Sequence, residues 1–488
     1  MGNPPWRHGA GVPAAYAGRL DWTYVAVALL TAAAFALRVR GIREGLWRDE
    51  PVTLAETEGK TLRGVLDVVA NGGEYNPPLP FVLSWVSAKV GDPTTWIRVP
   101  SLVLGTATVP VVFLLGIRCL TRPAALVAAG FVALSPFAIH YGIEARAYGA
   151  LMCFSALSAL MLLLAVETGR ARWWAAYGAA VAAVLYTHYT GILVIGAQGA
   201  WTLLMHRHRW RALLLAYLGA AVAYSPWLPH VHADPSNLEL WALLSGWTRW
   251  DAFLQWAAGA PEVSPADLPG VIALVMIACG LAVGLIDTAT NPRRYPLSSL
   301  IVVLALATPI GLLLYGHNLF LFARNLSASL PFAALLVGWA VTPPRRVPMV
   351  TAIGLVGLGM GLGAAKTLEA RFQRPDTTSV ADRVDDRARA GDLVLHSGLG
   401  AHAYVLDQIL RIKYARKHRV VVDPELSPAD FEAGNPRHVF LVQLKNSELV
   451  VPPRFPLWEQ LEHRTYAGFV PLSLTIYQRR SSSRSPPG

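Results

Sequence analysis

Apolar stretches, each close to the roughly 20 residues that cross a bilayer, recur along most of this chain and leave it few possible folds. Eleven runs stand at about 20–37, 98–117, 124–140, 147–166, 173–187, 190–205, 212–228, 269–288, 297–315, 325–341 and 347–366. With 54% hydrophobic and 15% charged residues among 488, the composition excludes an ordinary soluble enzyme of this size. The expectation is a polytopic α-helical membrane protein of about eleven spans.

Charge orients the spans. With the N-terminus inside, the inner segments carry Arg7 and Arg19, Arg118 and Arg122, Arg170 and Arg172, Arg207, Arg209 and Arg211, Arg293 and Arg294, and Arg345 and Arg346. Every inner segment is therefore basic, as membrane insertion favours. The outer loop 229–268 has only Arg249 against Asp234, Glu239, Asp251, Glu262 and Asp267. The first outer loop is the exception, with Arg38, Arg40, Arg43 and Arg48. The net charge of +11 is explained by these clusters rather than by a nucleic-acid partner.

Pro78–Val90 is apolar but too short to span, and counting it reverses the charge pattern. It is expected as an interfacial helix over 79–90, and tryptophans in the loop 229–268 predict a second at about 238–256. The basic lead 1–19 before the first run has no convincing cleavage site, which predicts a retained signal anchor. Cys119, Cys153 and Cys279 form neither a disulfide framework nor a metal motif.

The transmembrane part is expected over 20–368. After it the chain turns polar, with helix-like runs at 378–390 and 400–417 and strand-like runs at Leu393–His396, Arg419–Asp423, His438–Val442 and Leu472–Gln478. These predict a small α/β domain over 370–480, outside the membrane by parity, followed by a disordered tail at 481–488.

On this topology one face collects the pair Asp49 and Glu50, the run Glu74-Tyr75-Asn76-Pro77-Pro78, the segment from His140 through Glu144 and Arg146 to Tyr148, Thr187-His188-Tyr189, and His317-Asn318 with Arg324-Asn325. An acid pair with arginines from other loops suits base chemistry beside a phosphate.

These residues resemble the C-type polytopic glycosyltransferases, in the branch of protein O-mannosyltransferases and lipid A aminoarabinose transferases. The resemblance lies in Asp49-Glu50, Asn76-Pro77-Pro78-Leu79, Ile97-Arg98-Val99-Pro100-Ser101, Leu134-Ser135-Pro136-Phe137 leading into Glu144-Ala145-Arg146-Ala147-Tyr148, Tyr186-Thr187-His188-Tyr189, and Arg324. Many relatives have His or Lys where this chain has Asn76. The resemblance implies a sugar donor on polyprenyl phosphate, used with inversion at the outer face of the cytoplasmic membrane. An Ala- and Arg-rich composition fits a bacterial polyprenyl carrier.

In that chemistry Asp49 is the base for an acceptor hydroxyl, and Arg146 and Arg324 hold the phosphate with Tyr148 and His188 beside them. Glu50, Glu74, Tyr75, Asn76 and Glu144 are candidates for sugar, acceptor or metal contacts. Glu50 or Glu74 with His188 is a candidate set for a divalent cation, and Trp47, Tyr75 and Tyr148 for stacking on a sugar. The acceptor is a glycan, a lipid or a protein, and the sugar a hexose or a pentose.

Each assignment has a structural competitor. Asp49 is also placed to cap a helix starting at Pro51. Arg146 is also a candidate partner of Glu144, Arg324 a charge at a span's end, and the histidines structural residues. Asn76-Pro77-Pro78 also suits a helix start. A flippase or transporter of lipid-linked sugars is the rival function, and a lipid phosphatase a third. A transporter places ionisable groups near mid-span, with internal repeats; here they gather at one surface and no repeat is visible.

Overall fold

The computed structural model describes residues 21–73, 76–231, 249–259, scattered positions between 272 and 290, 295–315, 322–342, 346–398, 401–422, 434–444 and 457–480. Glu74, Tyr75, His317, Asn318, the lead 1–20, most of the span at 269–288, the first half of the helix at 238–256 and the tail 481–488 lie outside the described residues. The chain divides into two compact units, Met1–Ile42 with Thr53–Lys366, and Arg43–Val52 with Thr367–Gly488.

The first unit is helical. Five of its described helical segments are long and apolar enough to cross a membrane, at Trp22–Arg43, Pro93–Cys119, Tyr148–Thr168, Arg207–His230 and Met349–Lys366. Shorter apolar helices follow the other expected runs at Arg122–Leu134, Gly191–Met205 and Ser299–Leu314. Leu79–Ala88 is a helix as expected, and its Trp85 indole donates to the Lys60 carbonyl at 2.8 Å.

Tyr148–Thr168 is the central helix, with most of its side chains buried. Small residues let its neighbours approach one another closely. A Cβ at Gly338 would lie 2.2 Å from the Ala124 carbonyl oxygen, so the helix Leu330–Ala340 rests directly on Arg122–Leu134. Close backbone approach through small residues is how helices associate where water supplies no driving force.

The run expected as one span at 124–140 is two helices, Arg122–Leu134 and Pro136–Tyr141. Pro136 has no N–H to give the Val132 carbonyl, and the ladder breaks there. Arg38, counted from sequence among the outer-loop charges, is buried in the last turn of Trp22–Arg40. Its guanidinium donates to Val132 O at 3.1 Å and Ala133 O at 3.4 Å. Arg98 is likewise buried and donates to Ile42 O at 3.0 Å. Both arginines serve backbone carbonyls, which accounts for one of the charges that broke the orientation pattern.

The second unit contains a five-stranded sheet, in the spatial order Arg419–Val422, Leu393–Ser397, His438–Leu444, Leu472–Arg479 and Trp458–Tyr466. Its strands are β1 Leu393–Ser397, β2 Arg419–Val422, β3 His438–Leu444, β4 Trp458–Tyr466 and β5 Leu472–Arg479. β1 pairs in parallel with β2 and β3, and β5 runs antiparallel to β3 and β4. Four of the five strands match the sequence expectation. β4 was not expected, because Glu459, Gln460, Glu462, His463 and Arg464 give it no buried alternation; it is a largely exposed edge strand with a bulge between Gln460 and Glu462. The helices Thr377–Arg387 and Ala401–Lys413 are each shorter at the C-terminal end than the runs suggested.

Candidate active site

Arg146 owes its position to a tight, buried, non-helical segment, 142–147, between the helices Pro136–Tyr141 and Tyr148–Thr168. Glycines permit the fit. A Cβ at Gly105 would stand 2.7 Å from Gly142 Cα, and one at Gly149 2.9 Å from the Ser101 carbonyl oxygen. Ser101 in turn donates its hydroxyl to Arg146 O at 3.0 Å, so the segment is pinned to the start of the Val99–Cys119 helix. The buried guanidinium donates to Thr53 Oγ1 at 3.2 Å and lies 5.4 Å from the Phe81 ring centroid. Thr53 and Phe81 were not singled out in the sequence.

Arg324 comes from the 3-10 turn Ala323–Ser329, which leads into Leu330–Ala340. Its guanidinium carbon lies 5.4 Å from the Phe322 ring centroid and 6.0 Å from that of Tyr148. Such placement over an aromatic face is attractive for a cation. Tyr148 is buried, 3% exposed, with its ring 5.1 Å from Tyr141 and 5.8 Å from His188. It is a support for Arg324 rather than an open platform for a sugar.

His188 ends the helix Ala171–Thr187, and its Nδ1 faces the Thr190 backbone N–H at 3.2 Å and Thr190 Oγ1 at 2.9 Å. Burial pushes its pKa down to about 3, and Arg324 and then Arg146 push in the same direction. The ring is therefore neutral near pH 7, and both arginines act on it. Arg146, Tyr148, His188 and Arg324 thus gather from three separate junctions. The buried Glu144 lies in the same segment as Arg146, with a carboxylate oxygen 3.9 Å from His140 Nε2.

The acid pair belongs to the second unit. Arg48 adopts φ 50°, a left-handed conformation uncommon outside glycine, immediately before Asp49. Asp49 is half-buried and precedes the helix Glu50–Thr57, whose first residue is Glu50 rather than Pro51. Glu50 is fully buried; its Oε2 accepts from the Trp47 backbone N–H at 3.0 Å and lies 3.5 Å from Arg374 Nε. Arg374 also reaches Glu44 at 3.3 Å and gives that carboxylate its backbone N–H at 3.2 Å. Sequence inspection missed Arg374, which lies far along the chain from the acids it holds. Trp47 is 4% exposed and meets Phe469 edge to face at 5.5 Å, so it offers no face to a sugar.

Asn76 is partly buried just before the helix Leu79–Ala88. Among the described residues no group of three or more His, Cys, Asp or Glu side chains is arranged to hold a metal ion. The two arginines beside His188 also set a positive field against a cation at that ring.

The fold is similar to that of the polytopic C-type glycosyltransferases. Residues 75–232 match the family described as dolichyl-phosphate-mannose-protein mannosyltransferase. Among solved structures, ArnT from Cupriavidus metallidurans bound to undecaprenyl phosphate superposes with a TM-score of 0.53 at 13% identity, over 96% of this chain and 99% of that one. The archaeal oligosaccharyltransferase AglB from Archaeoglobus fulgidus, in complex with an inhibitory peptide and a dolichol-phosphate, gives 0.53 at 9%, over 86% of this chain and 69% of that one. Among curated proteins, none matches the sequence significantly.

Proposed function

We propose that this chain is an inverting glycosyltransferase that moves a sugar from a polyprenyl-phosphate donor to an acceptor hydroxyl at the outer face of the cytoplasmic membrane. Eleven spans with the N-terminus inside put the helix junctions carrying Arg146, His188 and Arg324, the acid loop and the C-terminal sheet on that face. The acceptor hydroxyl gives its proton to the Asp49 carboxylate as its oxygen attacks the anomeric carbon. The bond from that carbon to the phosphate oxygen breaks, and polyprenyl phosphate leaves with the extra negative charge. Arg146 and Arg324 hold that charge. Glu50, anchored by Arg374, fixes the backbone beside Asp49.

The observation that carries the proposal is that Arg324 stands over Tyr148, Tyr148 packs against the buried His188, and the charges of Arg324 and Arg146 both bear on that ring. These groups stand in turns and helix breaks, as expected for a surface transferase more than for a mid-membrane transport path. The undecaprenyl phosphate bound to the like-folded ArnT supports a polyprenyl carrier here. The part given to Asp49 rests on its chemistry and its sequence motif. Glu74, Tyr75, Asn76 and Glu144 are assigned to sugar and acceptor contacts. In this reading the guanidinia meet the phosphate charge, and a divalent cation, the one candidate cofactor, is tested by transfer assays with and without chelator.

The experiment is a reconstituted assay with a panel of polyprenyl-phosphate sugars and a crude envelope acceptor. Transfer by wild type and none by Asp49→Asn supports the proposal. Donor translocation without transfer, indifferent to Asp49, assigns the protein to the flippases.

A further inference from the structure

The second unit carries a groove that the transfer chemistry above does not use. It has a volume of about 1550 Å³, and its walls include Arg387, Arg389, Arg416, Arg437, Arg479 and Arg480. Among the described residues none of these six enters an ion pair. Two carboxylates also line the groove, Asp386 and Glu462. Glu462 is already committed: Arg383 approaches both of its oxygens at 2.7 Å, and Arg464 reaches it at 2.5 Å. Six arginines thus face Asp386 as the one carboxylate not already committed among the described lining residues, and the resulting excess of positive charge is a field that focuses anions.

The sheet makes this a fixed site rather than a spray of surface side chains. His438 pairs with Gln478, and Trp458 with Arg479, so the beginnings of β3 and β4 and the end of β5 lie together. Arg479 N donates to Arg437 O at 3.0 Å, and Arg480 N to Leu457 O at 2.9 Å. Three of the arginines thus spring from one hydrogen-bonded sheet edge. Phe440 and Ile476, opposite each other in the β3–β5 register, form a buried apolar floor. Leu457 and Leu461, about half exposed at 49% and 51%, give an apolar rim.

We infer that this groove binds an oligosaccharide bearing phosphate or carboxylate groups. Apart from His438, the basic residues lining the groove are arginines, whose planar forks match those oxyanions in pairs. The volume exceeds the roughly 300–1,000 Å³ of an ordinary small-ligand pocket and accommodates several sugar units. A bilayer surface is flat and would meet only the rim, so a membrane explains the concavity less well. That the bound glycan is the acceptor rests on the transferase reading; that the groove binds an anionic glycan does not.

The test uses the full chain in nanodiscs of neutral lipid, with hexagalacturonate as probe and maltohexaose as the uncharged control. Calorimetric titration is expected to detect the first and not the second, with affinity falling as ionic strength rises. The variant Arg437→Gln/Arg479→Gln is expected to bind at least about tenfold more weakly with unchanged thermal stability, and Arg389→Gln provides an independent second variant. Absent binding, equal binding of both sugars, or variants that bind like wild type overturn the proposal. So does capture by phosphatidylglycerol vesicles of a protein that ignores hexagalacturonate. Because binding is read without transfer, a chain that binds the probe yet transfers no sugar retains the groove and loses the transferase reading.

Discussion

Arg38 Nη2 lies 3.1 Å from the carbonyl oxygen of Val132, the carbonyl that Pro136 leaves without its helical donor. A side chain from the first helix thus repairs a break in another, about 94 residues away. A side chain also enters a helix ladder beside a second proline, Pro309. Ser329 Oγ accepts from Thr308 N at 3.2 Å and donates to Leu304 O at 2.8 Å, entering the ladder just before Pro309 in the helix Tyr295–Tyr315. Both sites adjoin segments that carry candidate phosphate ligands, so the backbone beside each proline is held by specific polar groups.

Replacing Arg38 with Ala is expected to destabilise the protein by about 2–4 kcal/mol, through orphaned carbonyls and a cavity. Pro136→Ala restores an N–H for Val132 O and is expected to offset part of that loss. Thermal unfolding in detergent of both single variants and the double variant measures the coupling, expected at about 1 kcal/mol or more. Strict additivity would show that Arg38 does not serve this carbonyl.

Arg324→Gln and Arg146→Lys are each expected to weaken binding of a polyprenyl-phosphate sugar by roughly ten- to a hundredfold, the scale of a lost charge-assisted contact. Acceptor KM should change little. Lysine keeps the Arg146 charge and removes the fork, so the lysine variant separates geometry from field. Unchanged donor affinity in both variants would remove the two arginines from the site.

His188 gives a pH signature. Its folded-state pKa of about 3 lies far below the ordinary 6.5, so the unfolded chain takes up a proton first as pH falls. The stability due to the neutral ring is complete above pH 6.5 and declines progressively towards pH 3. Wild type is expected to lose melting temperature between pH 6.5 and 4 more steeply than His188→Gln, which cannot titrate. Parallel curves would contradict the burial and the two arginines as the source of the shift.

Much of the helical framework was legible because apolar runs of bilayer length have few other folds available, and the apolar runs at Leu393–Ser397 and His438–Leu444 announced the two central parallel strands of the sheet. The clustering of Arg146, Tyr148, His188 and Arg324 followed from their shared placement at helix junctions. The helix break at Ser135 was visible in Pro136, yet an unbroken apolar run outweighed it. What stayed hidden depends on distant contacts. Nothing local marks Arg38 as a backbone ligand or Thr53 as the partner of Arg146, and the exposed strand Trp458–Tyr466 lacks the alternation that reveals buried ones.

Arg374 and Glu50 provide the last test. Both side chains are almost wholly inaccessible, at 1% and 0%, and their charged atoms lie 3.5 Å apart. A buried charge is tolerable only beside its complement, and removing one partner costs roughly 3–5 kcal/mol. Arg374→Met is therefore expected to lower stability by about that amount and to disturb Asp49, the next residue along from Glu50. Glu44 also loses its Arg374 partner but is 18% exposed, so adding Glu50→Gln removes the more deeply buried stranded charge and the double variant should regain part of the stability of wild type. Transfer activity distinguishes structure from function here. If Glu50 serves only to fix the loop, the double variant that refolds should also recover measurable turnover, whereas a stable but inactive double variant would give the Glu50 carboxylate a direct part in the chemistry.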